Sequence, residues 1–148
     1  MLIHTMAKIV LISCSKSKLD HRAKAIDMYT GALFRLSLQY AKTLKLDKLF
    51  ILSAKHHLLD PNREIEPYDL SLKLMSKAEK AEWANIVIGQ LREHADLEND
   101  TFVMLAGSEY AKPLESHVHI KEYPLAGLSL GNRLKRLKAL AAESDRHG

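Results

Sequence analysis

Three short, uninterrupted apolar runs punctuate the chain: Ile9-Val10-Leu11-Ile12, Leu49-Phe50-Ile51-Leu52 and Phe102-Val103-Met104-Leu105-Ala106. Each is bounded by polar or small residues and is too short for a stable helix, so each reads as a strand. None alternates with polar positions, which is the habit of parallel strands covered on both faces. A weaker fourth strand is predicted from Val118 to Tyr123. Helical spacing fills the intervals. Leu33, Phe34, Leu36, Tyr40, Ala41 and Leu44 mark a helix from about Gly31 to Lys45. Ser76-Lys77-Ala78-Glu79 has the form of a capping box, and Trp83, Ala84, Val87, Ile88, Leu91 and Ala95 follow on one side of a longer helix. Leu130, Leu134, Leu137 and Ala141 predict a last helix, with Arg133, Lys135, Arg136 and Lys138 beside them. Strands alternating with helices predict an α/β fold: a mainly parallel central sheet of about four strands, right-handed crossovers and helices on both faces. The stretch from Asp60 to Ser71 is the longest without a period, and it is the first place to seek a functional loop.

Composition narrows this picture. A chain of 148 residues, 47% hydrophobic and 27% charged, suits one globular α/β domain spanning 1–148. Its single cysteine, Cys14, excludes an internal disulfide framework and a multi-thiolate zinc site, and it fits a reducing cytoplasm. A net charge of +4 tilts the expected partner toward an anion. No apolar run approaches the ~20 residues of a membrane span. Leu11-Ile12-Ser13-Cys14 imitates a lipoprotein cleavage box, but the apolar run before it is shorter than a signal-peptide core.

Ligands of open parallel sheets bind where the carboxyl ends of the strands meet their loops, so the strand ends map a rim. On it fall Ser13-Cys14-Ser15-Lys16-Ser17-Lys18, Ser53-Ala54-Lys55-His56-His57, Gly107-Ser108-Glu109-Tyr110 and Pro124-Leu125-Ala126-Gly127. Hydroxyls interleaved with Lys16 and Lys18 can meet a phosphate or carboxylate, although a solvated loop has the same composition. Neither a nucleotide-triphosphate loop nor a dinucleotide glycine fingerprint is present. A cysteine-phosphatase loop is also excluded, since Asp20 stands where its arginine would be. Eight histidines raise the question of a metal, yet no acidic residue completes a ligand spacing around His56-His57 or His117 and His119, and no metal or other cofactor is expected. Glu66-Pro67-Tyr68-Asp69 places two carboxylates and a ring in the long loop, where a carboxylate can activate water and the ring can stack on a base or plug the edge of the core.

These blocks together resemble a bacterial and phage family of unknown function, itself similar to the YaaA peroxide-stress proteins. The resemblance rests on Ser13–Lys18, on Asp27-Met28-Tyr29-Thr30-Gly31-Ala32-Leu33-Phe34, and on Leu52 to Pro61. It continues through Glu66–Asp69 and Leu105–Tyr110 to Pro124–Leu134. Relatives commonly carry Tyr-Gly where this chain has His56-His57. The resemblance implies a three-layer α/β/α sandwich similar to the uracil-DNA glycosylase fold and to the core domain of archaeosine synthases, whose substrates are nucleobases in nucleic acid. The Asp-Pro-Tyr-His motif of those glycosylases is absent, and Glu66–Asp69 matches only its Pro-Tyr step.

The leading expectation is therefore a protein that associates with nucleic acid, DNA foremost, and acts on a nucleobase or its N-glycosidic bond. Lys16, Lys18 and Lys55 would hold phosphate, with Ser13, Ser15, Ser53, His56, Gly107 and Tyr110 on the same rim. Tyr68 or Tyr29 would stack on an extruded base, and Asp69 or Glu66 would orient water or stabilise an oxocarbenium-like sugar, with Lys55 beside them. Two alternatives stand next to it: a DNA-binding stress protein without catalysis, and an enzyme for a free nucleotide or another phosphorylated metabolite.

Overall fold

A computed structural model describes residues 6–147. Five strands form the central sheet: β1 (Lys8–Ser13), β3 (Lys48–Ser53), β4 (His57–Leu59), β6 (Thr101–Leu105) and β7 (Ile120–Glu122), in the order β4-β3-β1-β6-β7. β3, β1, β6 and β7 are parallel, with Leu11 in register with Phe50 on one side and Met104 on the other. The two-residue strands β2 (Ala23–Lys24) and β5 (Glu64–Ile65) make a separate antiparallel ribbon.

The apolar runs are continuous because alternate residues feed two cores. Ile9, Leu11, Phe50, Leu52, Phe102 and Met104 pack with Trp83, Val87, Ile88 and Leu91 of α3 (Lys77–Arg92) and with Ala111 and Leu114 of α4 (Ser108–Glu115). Val10, Ile12, Ile51, Val103 and Leu105 pack instead with Phe34, Leu38 and Ala41 of α2 (Ala32–Ala41) and Leu137 of α5 (Leu130–His147). A strand buried on both sides has no polar face to show, which is why β1 carries no alternation. The capping box forms as the sequence predicts: the Glu79 amide donates to Ser76 Oγ at 3.1 Å and the Ser76 amide to Glu79 Oε1 at 3.0 Å.

Several expectations change. The sheet has a fifth strand, the antiparallel edge strand β4, joined to β3 by Ala54-Lys55-His56 with Ser53 opposite His57. Three residues are too few to show a period. The helix predicted to reach Lys45 ends at Ala41, where the Lys42, Thr43 and Leu44 amides turn back to the carbonyls of Leu38, Tyr40 and Ala41. The Gly107 block is not only loop, for α4 starts at Ser108; its eight residues and internal Pro113 hide its period. The short helix α1 (Ala25–Met28) has no counterpart in the sequence pattern. No helix among the described residues is long and apolar enough to cross a membrane.

One topological feature positions the site. From β1 the chain crosses by α2 to β3 on one side, and then by α3 to β6 on the other side of β1. The loops leaving β1 and β6 therefore diverge, and a crevice opens between them at the carboxyl edge of the sheet.

Candidate functional site

That crevice holds a cavity of about 680 Å³. Ser13, Cys14, Ser15, Lys16 and Lys18 line it from the loop after β1, and Gly107, Glu109 and Tyr110 from the start of α4. Asp69, Leu70, Ser71, Lys73 and Leu74 close a third side, the last two from a 3-10 turn at Leu72–Leu74. The volume lies within the usual ~300–1,000 Å³ of small-molecule sites. A second cavity of about 580 Å³ lies between α3 and α4, lined by Lys77, Lys80 and Lys112, and it shares Glu109 with the first.

The β1 loop is held by short bonds. Ser15 Oγ donates to the Ser17 carbonyl at 2.7 Å and accepts from the Gly31 amide at 3.2 Å, while the Thr30 amide donates to the same Ser17 carbonyl at 3.0 Å. Gly31 has to be glycine for this approach, because a Cβ there would lie 2.8 Å from Ser15 Cβ. The Tyr-Thr-Gly step thus docks the start of α2 on the lysine loop. Lys18 Nζ donates to the Lys16 carbonyl at 3.1 Å and lies 4.4 Å from the Tyr68 ring centre and 5.9 Å from that of Tyr29.

Lys18 links the cavity to a buried polar chain. The hydroxyls of Tyr29 and Tyr68 are 2.7 Å apart, and Tyr68 Oη is 2.7 Å from Ser53 Oγ. Ser53 Oγ also accepts from the His56 amide at 2.9 Å, and Trp83 Nε1 donates to the Ser53 carbonyl at 2.9 Å. Burial pushes the Tyr29 phenol up to about 12. Burial first, and then the Cys14 sulfur, raise Tyr68 and Tyr110. All three are neutral phenols at physiological pH and can donate. On the cavity wall the Cys14 thiol donates to Tyr110 Oη at 3.4 Å. The His56 ring stands edge-on to Tyr68, with centres 5.4 Å apart, and its Nε2 is buried without a hydrogen-bond partner. Burial, followed by the charges of Arg63 and Lys55 and by His57, lowers its pKa, which keeps the ring neutral.

Of the residues singled out from sequence, Ser13, Ser15, Lys16, Lys18, Asp69, Gly107 and Tyr110 share the cavity. Ser53, His56, Tyr68 and Tyr29 share the polar chain instead, and Lys55 is exposed with Nζ 5.8 Å from the Tyr68 ring centre. Two expected roles change. Tyr29 is fully buried against Phe34 and Tyr68, so its ring offers no platform to a base. Glu66 turns outward to Arg22 at 3.5 Å and is absent from the cavity wall, which leaves Asp69 as the carboxylate of that loop. Sequence reasoning missed Lys73 and Leu74, because nothing in the spacing says that a 3-10 turn beyond the long loop folds back over the β1 lysines. Among the described residues no three His, Cys, Asp or Glu side chains gather as a metal site.

The model of a family of unknown function, DUF6884, matches residues 9–139, and the chain belongs to that family. No curated protein matches it.

Proposed function

We propose that this member of a family without an assigned activity binds a nucleotide unit of a nucleic acid, DNA foremost, and acts on its base or N-glycosidic bond. The observation that carries the reading is the cavity at the divergence of β1 and β6, which joins three lysines (Lys16, Lys18, Lys73) to the loop carboxylate Asp69, while its other carboxylate, Glu109, is paired with Lys80 at 3.1 Å. The ammonium groups suit phosphate, and Leu33, Leu70, Leu74 and Tyr110 supply the apolar wall that a sugar and base require. Asp69 would take a proton from an attacking water while the C1′–N bond breaks and the base leaves with the bonding pair. A three-layer α/β/α sandwich akin to the uracil-DNA glycosylases, and kinship with the YaaA peroxide-stress proteins, belong to the same proposal. They are supported by the order of the motif blocks and by α3 and α4 packing on one core while α2 and α5 pack on the other.

The test has two arms. Fluorescence anisotropy with single- and double-stranded DNA and RNA should show binding that weakens as salt rises. Mass spectrometry of nucleic acid, modified phage DNA included, should reveal a released or altered base after incubation with the protein. Asp69→Asn should keep the binding and lose about 10²-fold or more of the turnover. Binding without any change in the nucleic acid would favour the non-catalytic reading. The cavity's size, enough for one nucleotide, favours a free nucleotide as the second reading, and that reading takes the lead if no oligonucleotide binds at low salt.

A further inference from the structure

A smaller, more enclosed chamber of about 190 Å³ adjoins the main cavity, and Leu33 and Gly107 belong to the walls of both. It lies past the carboxyl ends of β6 and β7, and four polar side chains line it: Ser108 and Glu115 of α4, Tyr123 after β7 and Arg133 of α5. Its volume falls below the ~300 Å³ floor of ordinary small-molecule pockets, so it suits one ring system and not a whole nucleotide.

Two neighbouring side chains, Tyr123 and Glu115, set the polarity of this chamber. The Tyr123 hydroxyl is buried beside the Glu115 carboxylate, short of full hydrogen-bond geometry. Such a group costs stability unless a ligand satisfies it. Burial and the neighbouring Glu115 carboxylate push it up to about 12, so it stays a donor. Glu115 is the last residue of α4, where a negative charge opposes the helix dipole. Lys121 donates its ammonium to the carbonyls of Glu115 and Val118, both at 3.0 Å. Arg133 is oriented by donation from Nε to the Leu128 carbonyl at 2.9 Å.

We infer that this chamber is a base-reading subsite selective for guanine, an inference that rests on the nucleotide reading above. A carboxylate accepts but does not donate, so Glu115 asks for a ring edge with adjacent N–H groups. Guanine alone among the common bases presents two, N1–H and the exocyclic N2–H, beside the O6 acceptor that Tyr123 and Arg133 can meet as donors. Uracil and thymine offer one N–H between two carbonyls, while adenine and cytosine set a ring acceptor against the carboxylate. The phosphate would stay on Lys16, Lys18 and Lys73 in the larger cavity while the base crosses the Leu33–Gly107 boundary.

The experiment is isothermal titration of the full chain with the four 5′-mononucleotides and with four trinucleotides that differ only in the central base. The guanine ligands should bind about tenfold or more tightly than the others. Glu115→Gln should abolish that preference while the other ligands keep their affinity within about twofold, and Tyr123→Phe should weaken it partially. Melting temperatures identify a variant that fails to fold; since both changes are nearly isosteric, at least one remains readable. Equal binding of all four bases by the wild type, or a guanine preference that survives Glu115→Gln, overturns the subsite and leaves the nucleotide reading intact. Absence of binding by every ligand overturns both.

Discussion

His57 holds the left-handed conformation with φ +62°, at the end of the three-residue turn between β3 and β4. A side chain at such a φ is strained by roughly 1–2 kcal/mol, and glycine returns part of that gain through its freer unfolded chain. His57→Gly should therefore raise the unfolding free energy by about 0.5–1 kcal/mol in urea, and a loss would mean that the imidazole has a packing role here. His56 has a pH signature. Its folded pKa lies below the ordinary 6.5, so the unfolded chain binds the extra proton first. Stability should fall as pH drops below about 6.5, and His56→Gln should flatten that part of the profile in thermal melts. Tyr68 answers a question that sequence left open. Its hydroxyl joins Tyr29 to Ser53, so Tyr68→Phe leaves two buried hydroxyls short of a partner and should cost about 1–3 kcal/mol. Lys16 and Lys18 could be placed at the end of β1 from the strand pattern, whereas Lys55 falls outside the cavity they line. That Tyr68 turns its oxygen inward could not be read, because pattern does not reveal the direction of a loop side chain.

At the scale of elements, legibility followed length. β1, β3, β6 and α3 were readable because four or more buried positions repeat, and the Ser76–Glu79 box fixed the start of α3. β4, β5, α1 and α4 were not, since each is short and each owes its conformation to tertiary contacts. Leu58, for example, donates its amide to Gln90 of α3 at 2.9 Å, a bond 32 residues away along the chain. Ser76→Ala should cost about 1 kcal/mol by removing the acceptor for the Glu79 amide. The carboxylate side of the box adds a pH term of the opposite origin to that of His56. The Ser76 amide and hydroxyl hold Glu79 below its ordinary value, so its contribution is present at neutral pH and is lost as pH falls through the folded pKa. Comparing Glu79→Gln with the wild type in acid melts checks the sign.

For the molecule as a whole, the question is whether its positive charge acts as a diffuse excess or as a site. A surplus of four charges spread over the surface would make binding weak and indifferent to single lysines, whereas the fold concentrates Lys16, Lys18 and Lys73 on one cavity. Lys135 and Lys138, exposed on α5, provide the control. If three ammonium groups neutralise phosphate, the logarithm of affinity for a single strand should fall with the logarithm of salt at a slope near −2. Lys16→Ala/Lys73→Ala should reduce the slope to about −0.7, and Lys135→Ala/Lys138→Ala should leave it unchanged. Gly31→Ala should act in the same direction as the cavity pair without removing any charge, since its Cβ would drive the Ser15 loop, and Lys16 with it, out of place. Anisotropy titrations over a range of salt distinguish these cases. A slope carried by the α5 pair instead would move the binding surface off the sheet edge and give the lead to the non-catalytic DNA-binding reading. A slope near zero in the wild type would remove phosphate contact from the cavity altogether.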